Sequence, residues 1–186
     1  DIGGAIADAD LFLVDDGAGG TLRKTAASRI KTYAGGKVLQ HKETSSSAVA
    51  TGTTIFPEDD TIPQNDEGDE YMTLAITPVS ATSTMYIAVQ VFGSKSSGER
   101  WGISLYKDSG ANSLAFTSVK TADATTMDNG LLRYAEVTSN TTARTYKVRC
   151  GSLVTSATFT FNGQSGNRKF GGVDTLSSIQ ILEVEA

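Results

Sequence analysis

The chain has 186 residues, of which 39% are hydrophobic and 20% are charged, with 19 glycines and a formal net charge of -5. This composition is typical of a soluble globular protein that is rich in turns, with room for one mid-sized domain and an appendage. The acidic balance argues against nucleic acid or an anionic membrane as partner, because binding to either requires a basic face. No run approaches the roughly 18 consecutive apolar residues of a membrane span.

Residues 1–36 indicate a small N-terminal unit. The pattern predicts a strand from Leu11 to Val14, a turn over 15–17, and a short helix that Thr25 caps and that two glycines at 35–36 end. Such a unit has too few large apolar side chains to fold alone, so we expect it to pack against other copies. Because the chain begins with Asp1 rather than Met, we also expect it to be a piece of a longer polypeptide.

Residues 37–186 show short segments with period-two alternation, separated by Gly, Ser, Thr, Asn and Asp. No helix longer than one turn is predicted in this region. Regularly spaced strands of this kind predict an all-β domain, an antiparallel β-sandwich. The predicted strands are Val38 to His41, Thr53 to Phe56, Tyr71 to Ile76, Met85 to Phe92, Trp101 to Tyr106, Ser113 to Val119, Leu131 to Val137, Arg144 to Cys150, Ala157 to Phe161 and Ser178 to Val184.

Two of the predicted strands are apolar on both faces. In Met85 to Phe92 the odd-numbered residues are apolar, and the even-numbered face also carries Tyr86 and Phe92. Tyr71 to Ile76 likewise leaves neither face fully polar. We therefore expect one sheet of the sandwich to pack against a second chain.

The stretch "FNGQSGNRKFGG", from Phe161 to Gly172, has the glycine content of a phosphate-binding loop. Such a loop must open a helix, whose free N–H groups meet the anion, but the segment that follows alternates like a strand. Gly163 and Gly166 are predicted to supply turn conformations with positive φ. The polar residues Asn167, Arg168 and Lys169 then form a candidate binding tip.

The remaining chemistry-bearing residues favour structural roles. Cys150 is the single cysteine, which excludes an intrachain disulfide, and His41 is the single histidine, with no nucleophile motif beside it. The acidic groups at 58–60 and 65–70 do not match a calcium-binding loop and are interpreted as solvated loop acids, with a bound divalent cation as the alternative. Trp101 is in phase with apolar neighbours, which favours a core or subunit-interface role over a receptor contact. No enzyme, cofactor or metal site is expected.

The sequence also resembles a known family. The stretch "ADADLFLVDDGAGGTLRKTAASRIKTYA" resembles a small module that precedes the distal domains of bacteriophage tail and tail-fibre proteins. The stretches "TIPQNDEGDEYMTLAITP", "TFNGQSGNRKFGGV" and "SSIQILEVEA" resemble the C-terminal tip domain of phage tail-fibre proteins. The resemblance implies a trimeric jelly roll, comparable in architecture to the heads of the tumour necrosis factor and complement families.

The same resemblance implies a function at the host surface. It predicts a virion location, a homotrimer, other tail or baseplate proteins as partners, and a bacterial receptor, a saccharide, bound at the tip. Two alternatives stay open: a baseplate or head appendage that contacts virion proteins alone, and a capsule-degrading enzyme. Receptor contacts vary among fibres and do not carry over, so Asn167, Arg168, Lys169 and Trp101 are candidates from this sequence alone.

Overall fold

The computed structural model describes residues 6–7, 9–15, 22–34, 38–97, 100–121, 123, 126–154, 157–167 and 175–185. The chain divides into two compact units, Asp1–Lys37 and Val38–Ala186. The first contains a strand pair and a helix, and the second is built from β-strands.

The N-terminal unit pairs strand β1 (Leu11–Asp15) with strand β2 (Leu22–Ala26), and helix α1 (Ala27–Ala34) follows directly. The predicted strand and helix are present, but Thr25 as helix cap is wrong, because Thr25 lies in β2 and pairs with Phe12. Strand β2 was not predicted, since its two adjacent cations hide any apolar alternation and its partner β1 supplies the pairing. Asp15, the first residue of the turn predicted over 15–17, lies in β1, and the rest of that turn and the glycines at 35–36 lie outside the described residues.

The second unit is an antiparallel β-sandwich of two sheets. Its strands are β3 (Val38–Ser46), β4 (Ala50–Gly52), β5 (Asp69–Ile76), β6 (Thr84–Lys95), β7 (Arg100–Lys107), β8 (Ala115–Lys120), β9 (Asp128–Val137), β10 (Arg144–Ser152), β11 (Phe159–Phe161) and β12 (Ser177–Val184). One sheet has the order β5-β10-β7-β8, and the six-stranded sheet has the order β3-β12-β6-β11-β4 with β9 also paired to β6. The strand order is that of a jelly roll, with β3-β12-β6-β9 in one sheet and β5-β10-β7-β8 in the other. This confirms the predicted fold class.

The hydrophobic core lies between the two sheets. Strand β6 contributes its odd-numbered residues from Met85 to Val91, all at most 2% exposed, as the alternation predicted. The central strand β7 contributes Trp101, Ile103 and Leu105. Interiors of this kind are closely packed, so truncating one of these side chains is expected to cost about 2–5 kcal/mol.

Two strand predictions need correction. Thr53 to Phe56 is not a strand, because the Phe56 ring leaves the sheet and packs edge-on against Phe116, with ring centroids 5.2 Å apart. Tyr71 does not share a face with its i+2 neighbours, because the β5–β10 pairing shifts register beside it. The Tyr71 ring instead stacks on Phe161 at 4.8 Å and packs against the core. The outward face of β5 therefore carries Thr73 and Ala75 but no large apolar side chain, and its predicted second apolar face is wrong.

A loop over 53–68 covers the outer face of the four-stranded sheet. The Tyr106 hydroxyl donates to the Gln64 carbonyl at 2.6 Å. The Arg149 guanidinium donates to the carbonyls of Glu67 and Gly68 at 2.8 and 2.6 Å. These contacts, together with the Phe56 ring, cover the middle of this face within the chain itself, while Phe116 on the edge strand β8 stays 38% exposed.

The strand register also defines the two ends of the six-stranded sheet. Val38, where the second unit begins, pairs with Val184, and Val184 and Val137 both pair with Thr84. At the other end, Phe161 pairs with Gly93, immediately before the glycine-rich stretch begins. The loop that follows β11 therefore starts at the end opposite to the one where the chain enters the sandwich.

Candidate functional site

The outer face of the six-stranded sheet carries exposed apolar side chains. We call the outward-facing residues of β3, β12, β6 and β9 the bare face. Tyr86 is 53% exposed, and Leu131 and Val137 are each 59% exposed. A depression of about 590 Å³ in this face is lined by His41, Tyr86, Ala88, Arg133, Ala135, Gln180 and Leu182. Exposed apolar side chains grouped on one face of a sheet make this face the candidate interaction site.

The sequence predicted only part of the bare face. Alternation predicted the apolar even-numbered side of β6, but it did not predict the outward-facing apolar residues of β9 and β12. A usable signal was present in "LLRYAEV", where Leu131, Ala135 and Val137 alternate with a second partly apolar set.

The glycine-rich stretch begins with a short, well-bonded hairpin. Gln164 and Asn167 exchange backbone hydrogen bonds of 2.8 and 3.0 Å across Ser165 and Gly166. The two central residues have φ values of 52° and 74°, as a type I′ turn requires. The prediction of positive φ is thus confirmed for Gly166 but wrong for Gly163. Position 163 instead requires glycine because a Cβ there would lie 2.5 Å from the Asn167 carbonyl oxygen.

The candidate receptor residues are therefore placed only in part. Asn167 is exposed, and its side-chain amide donates to the Ser165 carbonyl at 3.1 Å, which holds it at the tip of the hairpin. Arg168 and Lys169 lie outside the described residues.

Trp101 is a core residue. Its side chain is 0% exposed and packs against Phe159 at a centroid distance of 5.2 Å. Its indole N–H has no hydrogen-bond partner among the described residues. Because a buried side chain cannot contact a receptor, Trp101 is removed from the candidate receptor contacts.

A polar pocket of about 390 Å³ lies beside the loop over 138–143. Its wall includes Glu136, whose carboxylate accepts hydrogen bonds from Lys107 at 2.7 Å, from Arg144 at 3.0 Å and from the Tyr146 hydroxyl. Burial raises the pKa of Glu136, but these bonds outweigh it and lower the pKa below the usual value. The Arg144 guanidinium also donates to the backbone carbonyls of Thr138 at 2.8 Å and of Asn140 at 3.2 Å. The network thus fixes the loop to the sandwich, and sequence reasoning missed it.

The remaining candidates have local explanations. The Cys150 thiol is buried, and burial raises its pKa, so it remains a thiol. The Asp59 carboxylate accepts hydrogen bonds from the backbone and hydroxyl of Thr61, which lower its pKa. The Asp69 carboxylate accepts hydrogen bonds from the backbone N–H and the hydroxyl of Thr54. Within the part of the chain that the structure describes, no group of three or more His, Cys, Asp or Glu side chains is arranged to hold a metal ion.

No helix among the described residues has the length and apolar character needed to cross a membrane. No protein-family model and no curated protein matches the chain.

Solved structures resemble the chain at low identity. The Eiger TNF of S. frugiperda is 10% identical, with 78% of this chain and 94% of that chain covered and a TM-score of 0.46. The C-terminal domain of EclA, a sugar-binding protein, is 16% identical over 64% of this chain and 77% of that chain, with a TM-score of 0.39. The enzymatically active domain of bacteriophage CBA120 tailspike protein 4 is 13% identical over 66% of this chain and 18% of that chain, with a TM-score of 0.30. All three TM-scores lie below 0.5, so these likenesses carry no argument about this chain.

Proposed function

We propose that this chain is the end of a phage tail fibre, which forms a trimer through the bare face and binds a saccharide on the bacterial surface without catalysis. The observation that carries the assembly is the difference between the two outer faces of the sandwich. A loop of the chain covers the middle of one of them, whereas the other leaves Tyr86, Leu131 and Val137 exposed to solvent.

A second copy of the chain fits the bare face best. Fully burying a large apolar side chain contributes about 1.5–3 kcal/mol. Each copy offers several such side chains, and a ring of copies covers the face in every member. The resemblance to trimeric tail-fibre tips favours three copies.

The direction of the chain through the sandwich supports receptor binding at the end opposite to Val38. In a fibre whose N-terminal part points to the virion, Val38 marks the near end of the sandwich. The hairpin with Asn167 lies at the opposite end. Three such tips around one axis would convert weak contacts with a repeated surface glycan into firm attachment, because linked sites gain about 10²-fold or more in avidity.

Cell labelling together with light scattering tests the proposal. The fluorescently labelled full chain should have about three times the 19.5 kDa mass of one copy and should label at least one strain in a panel of bacteria. Leu131→Asp should weaken both assembly and labelling by about 100-fold. Ile62→Asp is the matched control, since Ile62 is 55% exposed but lies in the loop over the other sheet, and it should change neither.

Three outcomes would contradict the proposal. A monomer at micromolar concentration refutes the assembly. A trimer that labels no strain points to an appendage that contacts virion proteins alone. Release of reducing sugar from capsule polysaccharide identifies an enzyme.

A further inference from the structure

The bare face carries opposite charges at its two edges. Arg133 lies on the edge strand β9, and Glu43 lies on the opposite edge strand β3. The register places both in one row across the sheet, because Arg133 pairs with Ala88, Ala88 with Gln180, and Gln180 with Glu43. Both side chains therefore project from the same face at the same height along the strands.

The two charges are too far apart to pair within one chain. Three strand spacings of about 4.8 Å separate their backbones by ~14 Å. Arg133 makes no hydrogen bond or ion pair with any residue that the structure describes. Glu43 accepts a single bond of 3.1 Å from the Gln180 side chain, which leaves its second oxygen without a described partner. When the face is covered, each charge loses water and needs a partner of opposite sign.

We propose that Arg133 of each copy pairs with Glu43 of the next copy, so that the copies join head to tail in a closed ring. This inference rests on the proposed assembly through the bare face and specifies how that assembly is ordered. Opposite charges on opposite edges suit a heterologous contact, in which one edge of a subunit meets the other edge of its neighbour. An arrangement that brings two Arg133 side chains or two Glu43 side chains together is opposed by like-charge repulsion.

Charge exchange in the full chain tests this pairing. Arg133→Glu and Glu43→Lys should each raise the concentration at which the assembly dissociates by at least about tenfold, because each creates a like-charge contact. The double variant, which exchanges the two charges, should return to the wild-type value. Arg100→Glu is the matched control, since Arg100 is an exposed arginine that faces Glu58 at 3.6 Å in its own chain. Sedimentation equilibrium measures dissociation, and circular dichroism verifies that each variant keeps its β signal.

A mixture of the two single variants adds a test of ring size. In the mixture, position 133 of one copy still contacts position 43 of the next. Wherever an Arg133→Glu chain and a Glu43→Lys chain are neighbours, the two positions carry opposite charges, whichever chain comes first. A two-membered assembly satisfies every contact in this way, whereas a three-membered ring always contains one pair of like variants and recovers only part of the wild-type stability. Partial recovery therefore supports the ordered trimer, and full recovery overturns the three-membered ring.

The outcomes separate this inference from the proposed function. A wild-type chain that stays monomeric refutes the assembly itself. A wild-type trimer whose single variants dissociate like the Arg100→Glu control refutes the pairing and leaves the trimer in place. Single variants that weaken assembly without rescue in the double variant also refute direct pairing.

Discussion

Replacing Glu183 by glutamine removes one buried charge while keeping nearly the same shape. Glu183 is 0% exposed, and its carboxylate joins β12 to the loop over 77–83. It accepts hydrogen bonds from the backbone N–H groups of Val79 and Ser80 at 3.0 and 3.1 Å. The Ser83 hydroxyl and the Gln40 amide each donate to it at 2.5 Å. We expect Glu183→Gln to destabilise the sandwich by loosening this loop.

The magnitude follows from the number of donors around the carboxylate. Glutamine keeps one acceptor oxygen, but its NH₂ group then faces donors that need an acceptor. A hydrogen bond to a charged group contributes about 1.5–3 kcal/mol against about 0.5–1.5 kcal/mol for a neutral pair, and an unsatisfied buried donor costs about 1–3 kcal/mol. We therefore expect the free energy of unfolding to fall by ~2–4 kcal/mol at pH 7.

The effect should depend on pH in a defined direction. Burial raises the pKa of Glu183, but the bonds from Ser83, Gln40 and the two backbone N–H groups lower it overall, below the usual value of 4.5. A lowered folded-state pKa gives stability that is fully present above that usual, unfolded-state pKa and is lost as the pH falls through the folded pKa. The difference between wild type and Glu183→Gln should thus shrink as the pH drops from about 5 toward 3.

Urea unfolding measures this effect. The protein concentration is kept fixed because assembly makes the free energy of unfolding depend on concentration. Glu185→Gln is the matched control, since Glu185 is an exposed glutamate two residues further along the chain. The control should stay within about 0.5 kcal/mol of wild type. The reasoning is refuted if Glu183→Gln unfolds at the wild-type urea concentration at pH 7, or if the difference from wild type does not change with pH.

Three further predictions concern other parts of the chain. Deleting residues 1–35 should preserve the β signal in circular dichroism and lower the stability of the assembly, and loss of that signal would contradict the division into two units. Gly166→Ala should lower unfolding stability by about 1–2 kcal/mol, because its φ of 74° strains any side chain, whereas Ser165→Asn should not, since asparagine suits a type I′ turn. The double change Arg168→Ala with Lys169→Ala should reduce cell labelling without altering the melting temperature, and unimpaired labelling would remove both residues from the receptor contacts.

Local alternation in the sequence predicted most of the sandwich. The odd-numbered residues of β6 and the apolar residues of β7 point to the core because successive side chains in a strand face opposite sides. The same rule failed at Thr53 to Phe56, where Phe56 leaves the sheet to cover another strand, and at Tyr71, where a register shift turns the ring inward. In both places a partner distant in sequence decides the conformation, which local periodicity does not encode.

The candidate site divides in the same way. The sequence by itself determined that β6 has two apolar faces, that a strand rather than a helix follows the glycine-rich stretch, and that Trp101 shares a face with apolar residues. Tertiary structure alone decided that Trp101 is fully buried, that a loop covers the middle of one outer face while the other stays bare, and that Arg133 and Glu43 lie in one row. The physical reason is that alternation assigns side chains to faces, whereas strand order and register decide what covers each face and which charges share it.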